Sequence, residues 1–173
     1  MRRLSLNART AHDAAATDEV EVVLMRISHP DLETPVRLST DPTERISVEP
    51  LVYGTRSTWA GGAVDTPYLF VIASAVLPDD QEDAPPVATI ALEVVDRDMA
   101  AVLRSTTTRA TVDVATVLAS SPDEVESEWW GLELIGVDGD AGEIRLQVGR
   151  EPLDQEPWPA RRMTREAFPG LHP

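Results

Sequence analysis

Chemistry at a protein site needs side chains that converge, and few groups in this chain have the right type and spacing to do so. The three histidines, His12, His29 and His172, lie far apart and none has a second histidine or an acid at metal-ligand spacing. A closed metal site needs several convergent ligands, so no metal is expected. Asp138-Gly139-Asp140 with Glu143 has the acids of a calcium loop, but the twelve-residue spacing and its terminal bidentate acid are missing, which leaves a hairpin turn. No Gly-x-Ser-x-Gly occurs, and without lysine there is no phosphate-binding Gly-x-x-x-x-Gly-Lys loop. The absence of cysteine removes thiol nucleophiles, disulfides and thiolate-held metals. Paired carboxylates remain, because 30 acids place some close together. Glycoside hydrolysis needs two of them across a cleft, a distance that one sequence does not display.

Aromatic residues give a second kind of chemistry, stacking. Adjacent Trp129 and Trp130 suggest a sugar platform, yet in an alternating strand one ring points to each face. The expectation is one tryptophan in the core and one at an edge or interface. Trp158, between Pro157 and Pro159, sits on a stiff extended segment and reads as an aromatic anchor for a neighbour's pocket.

Charge is distributed unevenly. All 15 basic residues are arginine. Residues 10–159 hold nine of them against 29 acids, a net of −20, while the two ends hold six against Glu166 alone, a net of +5. The basic ends comprise Arg2, Arg3 and Arg9, and Arg161, Arg162 and Arg165. An acidic body repels nucleic-acid phosphates, so no sequence-specific nucleic-acid binding is expected. Either the acid-rich surface only maintains solubility and the arginine clusters are incidental, or the basic arms lie on the acidic bodies of neighbouring subunits. No stretch approaches the roughly 18 apolar residues of a membrane span, and no apolar run follows the N-terminal arginines, so a soluble, unsecreted protein is expected.

The elements that must carry these residues are mostly strands. Thr89 to Val95 and Arg109 to Ala119 alternate with a period of two. Between them Asp96 reads as an N-cap, with Met99, Val102 and Leu103 on one helical face. Residues 1–18 read as an N-terminal arm, extended or forming a helix on contact, with Ala11 to Ala16 able to support a helical turn. Glu19 to Ser28 reads as a strand that is apolar on both faces in its second half, as in a strand covered on both sides. His29-Pro30-Asp31 is a turn, and Pro35 to Ser39 is a return strand. Residues 40–67 form a long loop or protruding hairpin and a candidate contact surface. Pro67 to Leu77 reads as one buried strand. Ser121 to Glu124 is a turn, and Trp129 to Val137 and Glu143 to Val148 complete an antiparallel meander. From Glu151 the pattern stops, so the expected division is an arm over 1–18, a β-rich domain over 19–150 and a proline-rich C-terminal arm over 151–173.

The order of these parts resembles a known family. Its likeness rests on Thr17-Asp18-Glu19-Val20, Ile27-Ser28-His29-Pro30-Asp31-Leu32, Pro35-Val36-Arg37-Leu38 and Leu92 to Asp98 with Leu103-Arg104. It continues through Val117 to Asp123 with Val125-Glu126, and ends in Glu151-Pro152 to Pro157 and Phe168-Pro169-Gly170-Leu171. The chain is similar to the small phage tail-tip proteins that carry a domain of unknown function related to the amino-terminal domain of lambdoid minor tail protein L. The larger minor tail proteins continue into a cysteine-bearing iron–sulfur domain, and nothing of that domain is implied here.

The resemblance implies a mainly β (α+β) fold, an antiparallel β-sandwich or split barrel with one packed short helix and extended terminal arms. It also implies a non-enzymatic structural protein of the distal tail of a long-tailed phage or phage-like particle. Such a protein is a three- or six-fold homo-oligomeric ring between the tail tube and the hub, without cofactor or membrane contact, present in the host cytoplasm during assembly. Arg2, Arg3, Arg9, Trp158, Arg161, Arg162, Arg165 and Phe168 are the candidate subunit-interface residues. A transient assembly factor absent from finished particles and a carbohydrate-binding tip module are the competing readings.

Overall fold

The computed structural model describes residues 5–76, 87–93, 108–139 and 143–149. Among the described residues one α-helix, α1 (Leu6–Asp13), is followed by ten strands. They are β1 (Glu21–Ser28), β2 (Val36–Ser39), β3 (Glu44–Ser47), β4 (Val52–Thr55), β5 (Tyr68–Phe70), β6 (Ile72–Val76), β7 (Val87–Glu93), β8 (Thr111–Leu118), β9 (Ser121–Gly139) and β10 (Glu143–Gly149). All ten form one sheet in the order β3-β4-β5-β2-β1-β8-β9-β10-β7-β6. Only β2 and β5 pair in parallel; every other ladder is antiparallel.

The connectivity forces the sheet to curl. β5 stands third from one edge and β6 at the other edge, yet Val71 alone separates them. A single residue spans a few ångströms, so the two ends of the sheet must lie side by side. Val71 is the corner: its N–H donates to the carbonyl of Ser39, 2.9 Å away, just beyond the β2–β5 ladder. Its side chain is buried with Ala88, Ile90 and Leu92 from the opposite end of the sheet. The result is a half-barrel, the split-barrel form of the expected β-rich fold. Pro67 to Leu77 is therefore two strands, because the chain leaves one ladder and enters another at this corner.

The inside of the curl is apolar. Met25, Ile27, Val112, Val114, Ile90, Leu92, Leu146 and Val148 form a continuous core. Val22 and Leu24 face the opposite side of β1, in a second cluster with Trp59, Tyr68, Ala115 and Val117. Two-sided burial of β1 is what its apolar second half predicted. Trp129 packs against the inner core while Trp130 is 42% exposed on the other face.

Strands β8, β9 and β10 form the expected meander, with a boundary moved. The turn is Ala119-Ser120, and Ser121 to Glu124 already belongs to β9. β9 meets β8 through three shifts of register, and such bulges interrupt the alternation by which a strand start is recognised. Residues 40–67 take the hairpin form, with β3 and β4 paired antiparallel at the sheet edge. Gly54 is required there, since a Cβ would run into the backbone carbonyl of Tyr68 on β5.

The N-terminal segment differs from expectation in position. The helix covers Leu6–Asp13, and Ala14 is already extended. Its start is fixed by Ser5, whose Oγ accepts the Ala8 N–H at 3.1 Å. The helix expected after Asp96 lies outside the described residues, as do the C-terminal arm and residues 140–142 of the expected Asp138-Gly139-Asp140 turn, whose Asp138 and Gly139 belong to β9.

Candidate functional site

Two opposite charges sit within two largely apolar strands, Arg26 in β1 and Asp113 in β8. They are directly opposed in the β1–β8 ladder and so share the outer face. Arg26 donates from Nε and Nη2 to Asp113 Oδ2, at 2.9 and 2.6 Å. The other carboxylate oxygen accepts the Gly131 N–H at 2.8 Å. Gly131 has φ +65° and sits where the β8–β9 register slips, so two residues of β9 oppose Asp113. That bulge re-aims the strand beside Trp130, the use to which β-bulges near sites are put.

A second segment, residues 57–62, lies over this pair. Ser57 Oγ donates to the Pro122 carbonyl at 2.7 Å, and Thr58 donates from N and Oγ1 to Asp123 Oδ1 at 2.7 and 2.9 Å. Ala60 and Gly61 both take positive φ, 49° and 74°. Their carbonyls accept from Arg26 Nη1 at 3.2 Å and Arg37 Nη2 at 3.1 Å. An alanine in the left-handed region costs about 1 kcal/mol, offset here by two charge-assisted bonds.

Trp59 is the centre of an aromatic cluster. Its ring lies 5.9 Å from Tyr68 and 5.3 Å from Trp130, both tilted. The Arg26 guanidinium stands 5.7 Å from the Trp130 centroid, within cation–π range. Tyr68 is fully buried and donates its hydroxyl to the Trp59 carbonyl at 2.7 Å. Burial pushes its phenol pKa up, and the nearby Arg37 charge offsets part of that. The arrangement presents a half-exposed indole, a guanidinium edge and Glu128, which accepts from Trp59 Nε1 at 3.4 Å. This is a surface for stacking and polar contact.

A second exposed surface is the tip of the β3–β4 hairpin. Val48 is 71% exposed and Leu51 61%, with Tyr53 also exposed and a cis Glu49–Pro50 peptide between the strands. Arg56 pairs with Glu44 and ties the hairpin's base. Apolar groups held out on a braced edge hairpin are disposed to meet another molecule.

Of the residues expected at subunit contacts, Arg9 lies on the exposed side of α1. Arg2, Arg3, Trp158, Arg161, Arg162, Arg165 and Phe168 fall outside the described residues. His29 is buried in its turn: Nδ1 accepts the Asp31 N–H at 3.0 Å, so Nε2 donates to Thr108 Oγ1 at 2.6 Å. Among the described residues no group of acids and histidines is placed to hold a metal ion, and no helix is long and apolar enough to cross a membrane. Sequence reasoning missed Arg26, Asp113, Trp59 and Tyr68. The readable signal was an opposite charge inside each of two largely apolar strands.

Fold and surface together define a curled β domain with an exposed apolar hairpin tip and a half-exposed indole surface. Residues 7–164 match a domain of unknown function, DUF1833, and the chain belongs to that family. No curated protein matches it.

Proposed function

We propose that this protein is a structural subunit of the tail tip of a long-tailed phage or phage-like particle, forming a ring between the tail tube and the hub. The observation that supports it best is the β3–β4 hairpin, which carries Val48 and Leu51 outward from a braced sheet edge. A ring repeats one heterologous contact until it closes, so each copy must present two different complementary patches. A protruding apolar hairpin and an acidic body with basic ends supply unlike patches. The sequence resemblance to tail-tip proteins points the same way, and an acidic lumen wall would keep passing DNA from adhering.

The test is mass spectrometry of purified particles together with antibody labelling viewed by electron microscopy. Stoichiometric signal at the distal end of the tail is the expected result. Expression during infection without incorporation into finished particles would replace this reading with the transient assembly factor. Removing residues 151–173 is expected to spare folding and block assembly, and complete tails from the truncated chain would rule out the C-terminal segment as a contact.

The half-exposed Trp130, packed on Trp59 whose indole N–H donates to Glu128, favours one second reading, a carbohydrate-binding tip module. Oligosaccharide titration followed by tryptophan fluorescence separates it from the structural role.

A further inference from the structure

The β3–β4 hairpin tip and the outer face around Trp130 are unlike surfaces, and each lacks what the other carries. The tip is Val48-Glu49-Pro50-Leu51, exposed at all four residues. Its one charge is Glu49, which makes no ion pair or hydrogen bond among the described residues. The tip therefore offers hydrocarbon around a single unmatched carboxylate.

The outer face offers the complement. The ladders set Arg37 of β2, Arg26 of β1 and Asp113 of β8 side by side, and Trp130 and Gly131 of β9 follow. Four strands span about 14 Å, room for the end of a two-stranded hairpin. Asp113 is already taken by Arg26 and the Gly131 N–H, and Glu128 accepts from Trp59. Arg37 meets the Gly61 carbonyl and lies beside the Tyr68 phenol, and among the described residues no carboxylate pairs with it. A fixed, unmatched guanidinium thus shares a face with a half-exposed indole.

Both surfaces are ordered before any contact is made. Trp130 is packed on Trp59 and faces the Arg26 guanidinium, while the Arg56–Glu44 pair ties the base of the hairpin. Groups already held in place lose little freedom on association. Each surface is exposed, so the two are not joined within one copy. Between copies, a tip seated on the next copy's outer face leaves that copy's own tip free, which is the repeating heterologous contact a ring needs. Charge favours this pairing over its symmetric alternatives, since two tips about a two-fold axis bring Glu49 toward Glu49 and two outer faces bring Arg37 toward Arg37.

We infer that the hairpin tip of one copy seats on the Arg37–Trp130 face of the next, with Val48 and Leu51 against the indole and Glu49 on Arg37. The inference rests on the ring reading and deepens it by naming both halves of a subunit contact.

The test is the native mass of the full chain by analytical ultracentrifugation over a concentration series. Wild type is compared with a tip variant, Val48→Ser/Leu51→Ser, a face variant, Trp130→Ala, and their equimolar mixture. Wild type is expected to oligomerise and each variant alone to stay monomeric. The mixture is expected to give a dimer with one copy of each and nothing larger, because only the face variant's tip and the tip variant's face are intact. A mixture that stays monomeric overturns the pairing of tip with face. If either variant assembles like wild type, the contact is overturned and the ring is left to other surfaces. A monomeric wild type overturns the contact and counts against the ring as well. Glu49→Arg keeps the inference testable if Trp130→Ala does not fold, since residue 49 is exposed and unpaired. Removing a negative charge from a chain of net charge −15 should by itself strengthen self-association. Facing Arg37, the new arginine is instead expected to weaken it at least about tenfold. Unchanged or stronger association of Glu49→Arg overturns the seat on Arg37.

Discussion

The inner and outer faces of the curled sheet are held by different means. Inside, Ile90, Leu92, Val112, Val114, Leu146 and Val148 meet as hydrocarbon alone, and the curl follows from burying them. Outside, the cluster around Trp59 and Tyr68 is pinned by the Arg26–Asp113 pair and by backbone carbonyls turned toward Arg26 and Arg37. The inner face asks for shape and volume. The outer face asks for particular atoms, which orient a half-exposed ring beside charged edges. A domain can thus keep one face for folding and give the other a specified surface.

The largest test of this contrast is Leu146→Ala, which opens a cavity where no polar group can compensate. It is expected to cost about 3 kcal/mol, read from urea unfolding, and, in a Trp129→Phe/Trp158→Phe background, to leave the folded-state fluorescence of the Trp59–Trp130 pair unchanged.

Asp113→Ala attacks the outer face. It strands the Gly131 N–H and leaves a partly exposed Arg26 to find water, for about 2 kcal/mol. A double-mutant cycle with Arg26→Ala is expected to give a coupling of about 1 kcal/mol or more. Near-additive losses would mean that the pair is incidental to the face. Unlike Leu146→Ala, this change should alter the folded-state tryptophan emission, because Arg26 stands against Trp130.

Tyr68→Phe is smaller, about 1 kcal/mol, since it removes one buried hydrogen bond to the Trp59 carbonyl and keeps the ring. Its pH dependence has a definite sign. Burial holds the folded phenol's pKa above its ordinary value. The stability tied to the neutral hydroxyl is therefore fully present below the unfolded pKa of about 10 and lost as pH rises through the folded one. The gap between wild type and variant should narrow at alkaline pH, as measured by urea midpoints at about pH 8 and about pH 11.

The inner face was legible in the sequence because alternation reports burial directly: β1, β7, β8 and β10 all read as strands, and the alternate residues Ile90 and Leu92 are buried. The split of Tyr68 to Val76 at Val71 was not legible. An apolar run has no mark for the point where it changes hydrogen-bonding partners, and β5 and β6 look like one strand until their neighbours are known. Trp129 and Trp130 were read correctly as facing opposite ways. Trp59 was passed over because it lies in a glycine-rich stretch without periodicity, and its partners are far away in sequence. Ser5 as a helix cap was readable by type, but its bond to Glu126 joins residues 121 positions apart.

The smallest expected effect on stability belongs to the hairpin tip, and it carries the most about function. In the Val48→Ser/Leu51→Ser double variant both side chains are already largely in water, so folding should change by less than about 0.5 kcal/mol. If the tip exists to meet a neighbour, the same change removes the apolar area that the contact would bury. Assembly into oligomer or particle should then fail in a chain whose urea midpoint is unchanged. A variant that assembles normally would move the contact elsewhere, to the Trp130 surface or the terminal arms. A variant that unfolds would show that Val48 and Leu51 serve the sheet edge, and the division between a folding face and a presenting edge would have to be redrawn.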